Sequence, residues 1–307
     1  MVQELLQGTR PPRPLFLPIV FRMGARLENL PLREFLGNAT KISNSLRQIR
    51  GHLRADGISC YFDPNLEAEA LGATVEWHGD SAHLTWPNAS RNESAPELRT
   101  AEEAVKSGRV PVAIDVIKRL AALMREGTLL TAGVTGPFTL ATKIIQDSDV
   151  STEILEHAAS VTTAISSALA EAGANVVLIR EEKLPALPAE QFENWTSLLA
   201  PTFNVIRFYQ ALPVLQFADS DSVDRNREAI LQHTWDCVLT IPIGSGDLND
   251  LNAAGLGIAL PASEDTEEQE ISGGTSGYHP VLITTVDDVP PTADIKRLTK
   301  IFEEVRR

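Results

Sequence analysis

Eight short runs of Val, Ile and Leu recur along the chain, and amphipathic stretches fill the intervals between them. The runs are LFLPIVF (15–21), GISCYF (57–62), LLTAGV (129–134), VVLIR (176–180), PVLQF (213–217), CVLTIPI (237–243), GIAL (257–260) and PVLIT (280–284). Their length and weak polar alternation predict strands buried on both faces. Apolar spacing of three and four predicts helices at roughly 32–54, 112–126, 138–146, 151–173, 189–210, 223–233, 246–254 and 292–306. Alternation of a buried strand with a helix, repeated eight times, predicts a (β/α)8 TIM barrel forming a single domain over 1–307. An open doubly wound sheet has the same periodicity and is the alternative fold.

One excursion interrupts the alternation at about 73–100. Thr74 to His78 and His83 to Trp86 flank a GDSA turn and read as a hairpin, followed by a Ser/Asn-rich loop. A second loop, SEDTEEQEISGGTSGY (263–278), is acidic and then glycine-rich, as expected of a solvated flap.

Composition narrows the partners. The 307 residues are 43% hydrophobic, enough for one large core, and no Gly-, Ser- or Pro-rich linker divides them. A formal net charge of −14 and a pI near 4.9 argue against nucleic acid or an anionic membrane as partner, since both select clustered Lys and Arg. A small-molecule anionic substrate remains compatible, because a local cation cluster can sit inside a negative shell. Cys60 and Cys237 each lie within an apolar run, the pattern of buried structural thiols in a reducing, cytoplasmic compartment. The opening MVQELLQGTRPPRPLF lacks the apolar core of a signal peptide, and no segment is long enough to span a bilayer.

In a barrel, chemistry belongs at the C-terminal ends of the strands. Those ends carry Arg22 and Arg26, Asp63, Thr135 and Gly136, Arg180 with Glu181 and Glu182, Asp219 and Asp221, Ser245, and Asp287 and Asp288. The junction VTGPFTLATKII (134–145) passes from strand to helix through Gly136-Pro137. Glycine there leaves room beside the backbone, and proline suits a helix's first turn, so the free amides of this helix are expected to face the cavity and favour an anion.

Four segments in chain order carry a family resemblance. GVTGPFTLATKII, PIVFRMGARLENLP, DGISCYFDPNLEAEALGATVEW and HPVLITTVDDVPPTADIKRLTKIFEEV resemble conserved stretches of the uroporphyrinogen decarboxylase superfamily, which also contains corrinoid-dependent methyltransferases. The resemblance implies that Arg22 and Arg26 clamp substrate carboxylates and that Asp63 is the catalytic group, steadying positive charge as carbon dioxide leaves. It also implies an anion contact at the Gly136 helix start, and the strand-end positions of Thr135, Arg180, Glu181, Asp219 and Asp287 make them further expected binding groups. On that reading, Asp63→Asn removes turnover without unfolding the protein.

The resemblance breaks at defined places. Lys143 stands where the decarboxylases carry a tyrosine, and TTVDDV where they place a histidine. The thiol methyltransferases hold zinc with a His-x-Cys after the fifth strand, whereas PVLQFADSD offers Gln216 and Ala218. No metal and no bound cofactor are therefore expected. The expected function is lyase chemistry, a decarboxylation, on a carboxylate-bearing small molecule or tetrapyrrole-like substrate. The alternatives are methyl transfer in a corrinoid system without zinc, and a non-catalytic barrel that binds a tetrapyrrole or corrinoid. A corrinoid protein and a homodimer are the partners implied by these readings.

Overall fold

The computed structural model describes residues 1–53, 55–87, 97–124, 127–147, 149–243, 245, 251, 253–262, 280–294, 296 and 299–300. Helix α1 (Val2–Leu6) leads into β1 (Leu15–Phe16), α2 (Met23–Leu27), α3 (Leu32–Leu36), α4 (Ala39–Leu53) and β2 (Gly57–Tyr61). After α5 (Leu66–Leu71) come the paired strands β3 (Thr74–His78) and β4 (Ser81–Thr85), then α6 (Ala101–Val105) and α7 (Val110–Leu123). The regular alternation follows: β5 (Leu129–Thr135), α8 (Pro137–Ile145), α9 (Thr152–Glu171), β6 (Val176–Glu181), α10 (Ala189–Phe208) and β7 (Leu212–Phe217). The described elements end with α11 (Ser220–Arg225), α12 (Arg227–Gln232), β8 (Trp235–Pro242), β9 (Ala253–Leu260) and β10 (Leu282–Thr285).

Eight parallel strands pair in the order β1-β10-β9-β8-β7-β6-β5-β2, a nearly closed TIM barrel with the helices outside. Strands β2 and β7 are buried along their whole length, which accounts for their continuous apolar runs. The ends of the sheet order, β1 and β2, meet at a seam closed largely by one side chain. Asp56 N donates to the Phe16 carbonyl at 3.0 Å, and Phe16 N donates to Asp56 Oδ2 at 2.8 Å. Arg13 then forks onto both Asp56 oxygens at 2.7 Å each, a bidentate pair that fixes the carboxylate in the seam.

All eight strands expected from the apolar runs are present. The expected helix 32–54 is two helices, because Asn38 starts afresh: its Oδ1 accepts from Lys41 N at 3.1 Å as the cap of α4. The helix expected at 223–233 likewise divides at the buried Asn226, whose side-chain amide donates to the Pro185 and Ser222 carbonyls and accepts from Leu187 N. Of the helix expected at 246–254, the last two residues belong to β9, and 246–250 and 252 lie outside the described residues. The expected flap at 263–278, and most of the helix expected at 292–306, also lie outside them.

The hairpin forms as β3–β4, with Val75 opposite Leu84 and Trp77 opposite Ala82 on its half-buried face. It is fastened to the barrel at three points, one of them the Asp80 carboxylate of its turn, which accepts from Leu32 N at 3.2 Å. The Arg109 guanidinium lies 5.8 Å from the centre of the Trp77 ring, and Trp86 Nε1 donates to the Lys143 carbonyl at 2.8 Å. No helix among the described residues is long and apolar enough to cross a membrane.

Candidate active site at the barrel mouth

The end of β6 sorts its side chains by the two-residue period of a strand. Arg180 and Glu182 turn to the mouth, while Glu181 between them turns outward and is completely buried. The Glu181 carboxylate sits on the first turn of α8. It accepts from Phe138 N at 3.0 Å, Thr139 N at 2.8 Å and the Thr139 hydroxyl at 2.5 Å, and from Trp195 Nε1 at 3.1 Å. Burial pushes its pKa up, against the pull of these four donors.

Two expectations are corrected by this arrangement. The start of α8 does not present free amides to a ligand, because an internal anion already occupies it, and Glu181 is a structural group rather than a substrate contact. Gly136 serves the same end: a Cβ there would run into the Glu181 carboxyl group. The strand-to-helix junction is thus bare so that a side chain of the protein, not a ligand, can approach.

At the mouth itself, two cations converge on one oxygen. Glu182 Oε1 lies 2.8 Å from Lys143 Nζ and 3.2 Å from Arg180 Nη1. Arg180 is also held by the Val286 carbonyl at 3.2 Å and lies 3.7 Å from Asp287 Oδ2, with its guanidinium 6.0 Å from the centre of the Phe62 ring. Lys143 donates in addition to the Pro64 carbonyl at 2.9 Å. These groups line an open cavity of about 870 Å³, which Asp219 and Asp287 also edge. The volume lies within the range of about 300–1,000 Å³ usual for small-ligand sites. Asp219 is committed to the cap of α11, accepting from the Ser222 hydroxyl at 2.9 Å. Asp287 is half-exposed and accepts from Asp288 N at 2.7 Å.

Deeper in the mouth, Asp63, Thr135 and Phe62 border a void of about 10 Å³ together with Arg180 and Glu182. Asp63 is nearly buried and spoken for. Its Oδ2 lies 2.6 Å from Arg109 Nη1, while Arg109 Nε donates to Glu69 Oε2 at 2.6 Å, so one buried guanidinium joins two carboxylates. Thr135 Oγ1 lies 2.6 Å from Oε2 of Glu67, a carboxyl that is 1% exposed. Burial pushes that carboxyl up to about 7.

Arg22 and Arg26 stand elsewhere. They line a separate cavity of about 570 Å³, bounded also by Asn29, Asp80 and Pro291, which shares no lining residue with the mouth. Arg22 Nε donates to the buried Asp288 at 3.1 Å, and Arg26 Nη1 donates to the Pro291 carbonyl at 2.8 Å. Asp288 also accepts from Phe21 N and Arg22 N, both at 2.8 Å. Burial pushes it up to about 6. Of the expected site residues, the structure therefore brings Asp63, Thr135, Arg180, Asp219 and Asp287 to the mouth and sets the arginine pair apart from them.

A comparison of the sequence with family models matches residues 2–224 to Uroporphyrinogen decarboxylase (URO-D). The chain belongs to the uroporphyrinogen decarboxylase family. No curated protein matches it. Among solved structures, a methyltransferase from Methanosarcina mazei superposes with a TM-score of 0.76 at 15% identity, covering 99% of this chain and 96% of that one. A D-tagatose 3-epimerase-like protein aligns at a TM-score of 0.42 and 12% identity over 63% of this chain and 84% of that one. The first likeness extends the uroporphyrinogen decarboxylase fold over the whole chain, past the end of the family match.

Within this uroporphyrinogen decarboxylase barrel, the position expected to lack a zinc ligand is occupied by a buried Gln216, whose Nε2 donates to the Thr285 carbonyl at 2.9 Å. Among the described residues no group of three or more His, Cys, Asp or Glu is arranged to hold a metal ion. Cys60 and Cys237 are free and buried, and burial pushes both thiols up. Three mouth groups were not found from the sequence: Arg109, Glu67 and Glu69. Arg109 lies 46 residues beyond Asp63, at the head of α7, and nothing local marks it as that carboxylate's partner. Glu67 sits in LEAEAL as one of two acids on a short helix, where the ordinary expectation is solvent.

Proposed function

We propose that this protein is a decarboxylase acting on a carboxylate-bearing small molecule at the barrel mouth. The observation that carries the reading is the convergence of Lys143 and Arg180 on a single carboxylate oxygen in the wall of an open cavity. Glu182, which supplies that oxygen, is about one-third exposed. A planar guanidinium beside an ammonium is a site for a carboxylate, and an incoming substrate would take the place of Glu182 there. Family membership favours loss of carbon dioxide over other chemistry on such a substrate.

In the proposed reaction an electron-rich carbon of the anchored substrate takes a proton, carbon dioxide leaves from that carbon, and the pair of the broken bond neutralises the cation. The Asp63 carboxylate borders the space where the positive charge develops, and Arg109 fixes its orientation. Fixed dipoles and charges of this kind lower a barrier without reorganising during the reaction.

Methyl transfer is the second reading, favoured by the likeness to the Methanosarcina mazei methyltransferase along the whole chain. It requires a corrinoid-bearing partner and an acceptor held in some way other than the family's His-x-Cys, given Gln216 and Ala218. One assay separates the two. Purified protein is incubated with a panel of labelled aromatic and pyrrole carboxylates, and separately with a methylated corrinoid protein. Release of labelled carbon dioxide that Arg180→Ala abolishes supports decarboxylation. Demethylation of the corrinoid protein without carbon dioxide release overturns it.

A further inference from the structure

The proposed reaction needs a proton, and the mouth holds a buried carboxyl for which the fold gives no structural use. Glu67 is 1% exposed, and its Oε1 is buried without a hydrogen-bond partner among the described residues. Its Oε2 meets the Thr135 hydroxyl at 2.6 Å, and the backbone amides of Glu67 and Thr135 also draw on the carboxyl. Glu181, equally buried, has four donors, so the contrast within one molecule is direct. An anionic carboxylate with one oxygen left unpartnered is expensive to bury, whereas a neutral carboxyl is far less so.

We infer that Glu67 is a proton reservoir for the mouth, acting through the Thr135 hydroxyl; the inference deepens the decarboxylation reading and rests on it. When Glu67 is neutral, its O–H donates to Thr135 Oγ1. The hydroxyl hydrogen of Thr135 is then free of Glu67, and its one alternative acceptor, the Pro64 carbonyl, is distant at 3.4 Å. That hydrogen can then leave the weak Pro64 contact for the small void that Thr135 shares with Asp63 and Arg180, which adjoins the open cavity from which a substrate carbon would approach.

The Thr135 O–H bond breaks as its proton joins the substrate carbon bearing the departing carboxyl, and Thr135 Oγ1 takes the Glu67 proton in the same movement. Carbon dioxide leaves, the pair of the broken C–C bond restores the substrate's π system, and Glu67 remains as a carboxylate. After product release, water entering the mouth returns a proton along the same path. One water-derived proton is consumed for each carbon dioxide released.

The surroundings suit a group that changes charge. The Thr135 hydroxyl, the backbone amides of Glu67 and Thr135 and, least, Lys143 from α8 favour the anion and limit the upward push of burial to about 7. Arg109, at the head of α7, is taken up by Asp63 and Glu69. From α9, the uncharged Thr162 donates to the Thr135 carbonyl at 3.1 Å and steadies the relay. Glu102 and Glu103 of α6 are exposed.

Infrared spectroscopy of the intact protein tests this, with Glu67→Gln, Thr135→Val and Thr135→Ser as variants and acetate as the probe at the mouth. The wild type is expected to show a protonated-carboxyl stretch that is missing in Glu67→Gln and fades as pH rises through about 7. Acetate should shift that band in wild type and Thr135→Ser but not in Thr135→Val. In the carbon dioxide assay, Glu67→Gln and Thr135→Val should lower kcat about 10²–10⁴-fold with little change in KM, and Thr135→Ser should restore most of it. A Glu67 ionised at about pH 6, or acetate that binds without moving the band, overturns the relay. Acetate that does not bind at all overturns the carboxylate site itself, whatever the band does.

Discussion

At the scale of the residue, the molecule separates carboxylates that look alike in sequence. Gly136 and Glu181 form one unit, so Gly136→Ala should destabilise by about 1–3 kcal/mol through overpacking. Because a Cβ at 136 would strike the Glu181 carboxyl group, the double variant Gly136→Ala/Glu181→Ala should lose less than the sum of its parts in urea unfolding. Asp63 behaves otherwise than the family resemblance implies. Asp63→Asn leaves a buried guanidinium with one carboxylate partner instead of two, and it should lower stability by about 2–4 kcal/mol as well as turnover. Glu67 carries a pH signature. Its folded value near 7 lies above an ordinary 4.5, so the folded state holds the proton more tightly. The stability this confers is full below about 4.5 and is lost as pH rises towards 7. Glu67 should therefore contribute a fall in unfolding free energy of about 3 kcal/mol over that range, added to the falls from Asp288 and Glu181, and Glu67→Gln should reduce the total by its own share.

At the scale of the element, the hairpin is a brace for the mouth. Trp86→Phe keeps the packing but removes the hydrogen bond to Lys143, which should cost about 1 kcal/mol and loosen the end of α8 in hydrogen exchange. The elements themselves were largely legible in the chain. Parallel strands buried along most of their length write themselves as apolar runs, and all eight were readable for that reason. Helix breaks at Asn38 and Asn226 were not, because each depends on which backbone groups an asparagine side chain finds in three dimensions. The site was legible in part. The rim position of Asp63, Thr135 and Arg180 follows from strand ends alone. The separation of Arg22 and Arg26 from the mouth depends on Asp288 and Pro291, more than 260 residues away in sequence. The outward turn of Glu181 was readable in principle, since strand alternation sets the middle residue of Arg-Glu-Glu opposite to its neighbours.

At the scale of the whole molecule, the barrel depends on the seam between its first two strands. Asp56→Ala removes the acceptor of Phe16 N and the partner of Arg13 together. Amide exchange at Phe16 should accelerate strongly while β7 and β8, on the far side of the ring, stay protected, and an even loss of protection would contradict the seam's local role. The consequence of β6 reaches further. Arg180, Glu181 and Glu182 hold their different places only through their parity along the strand. Loss of a single codon upstream within β6 would exchange an anchor of the scaffold for a gatekeeper of the mouth, with no change in the letters of either. Relatives of this barrel should then tolerate insertions and deletions almost anywhere except in the few residues before that pair, and a frame-preserving deletion scan would show a sharp gap there.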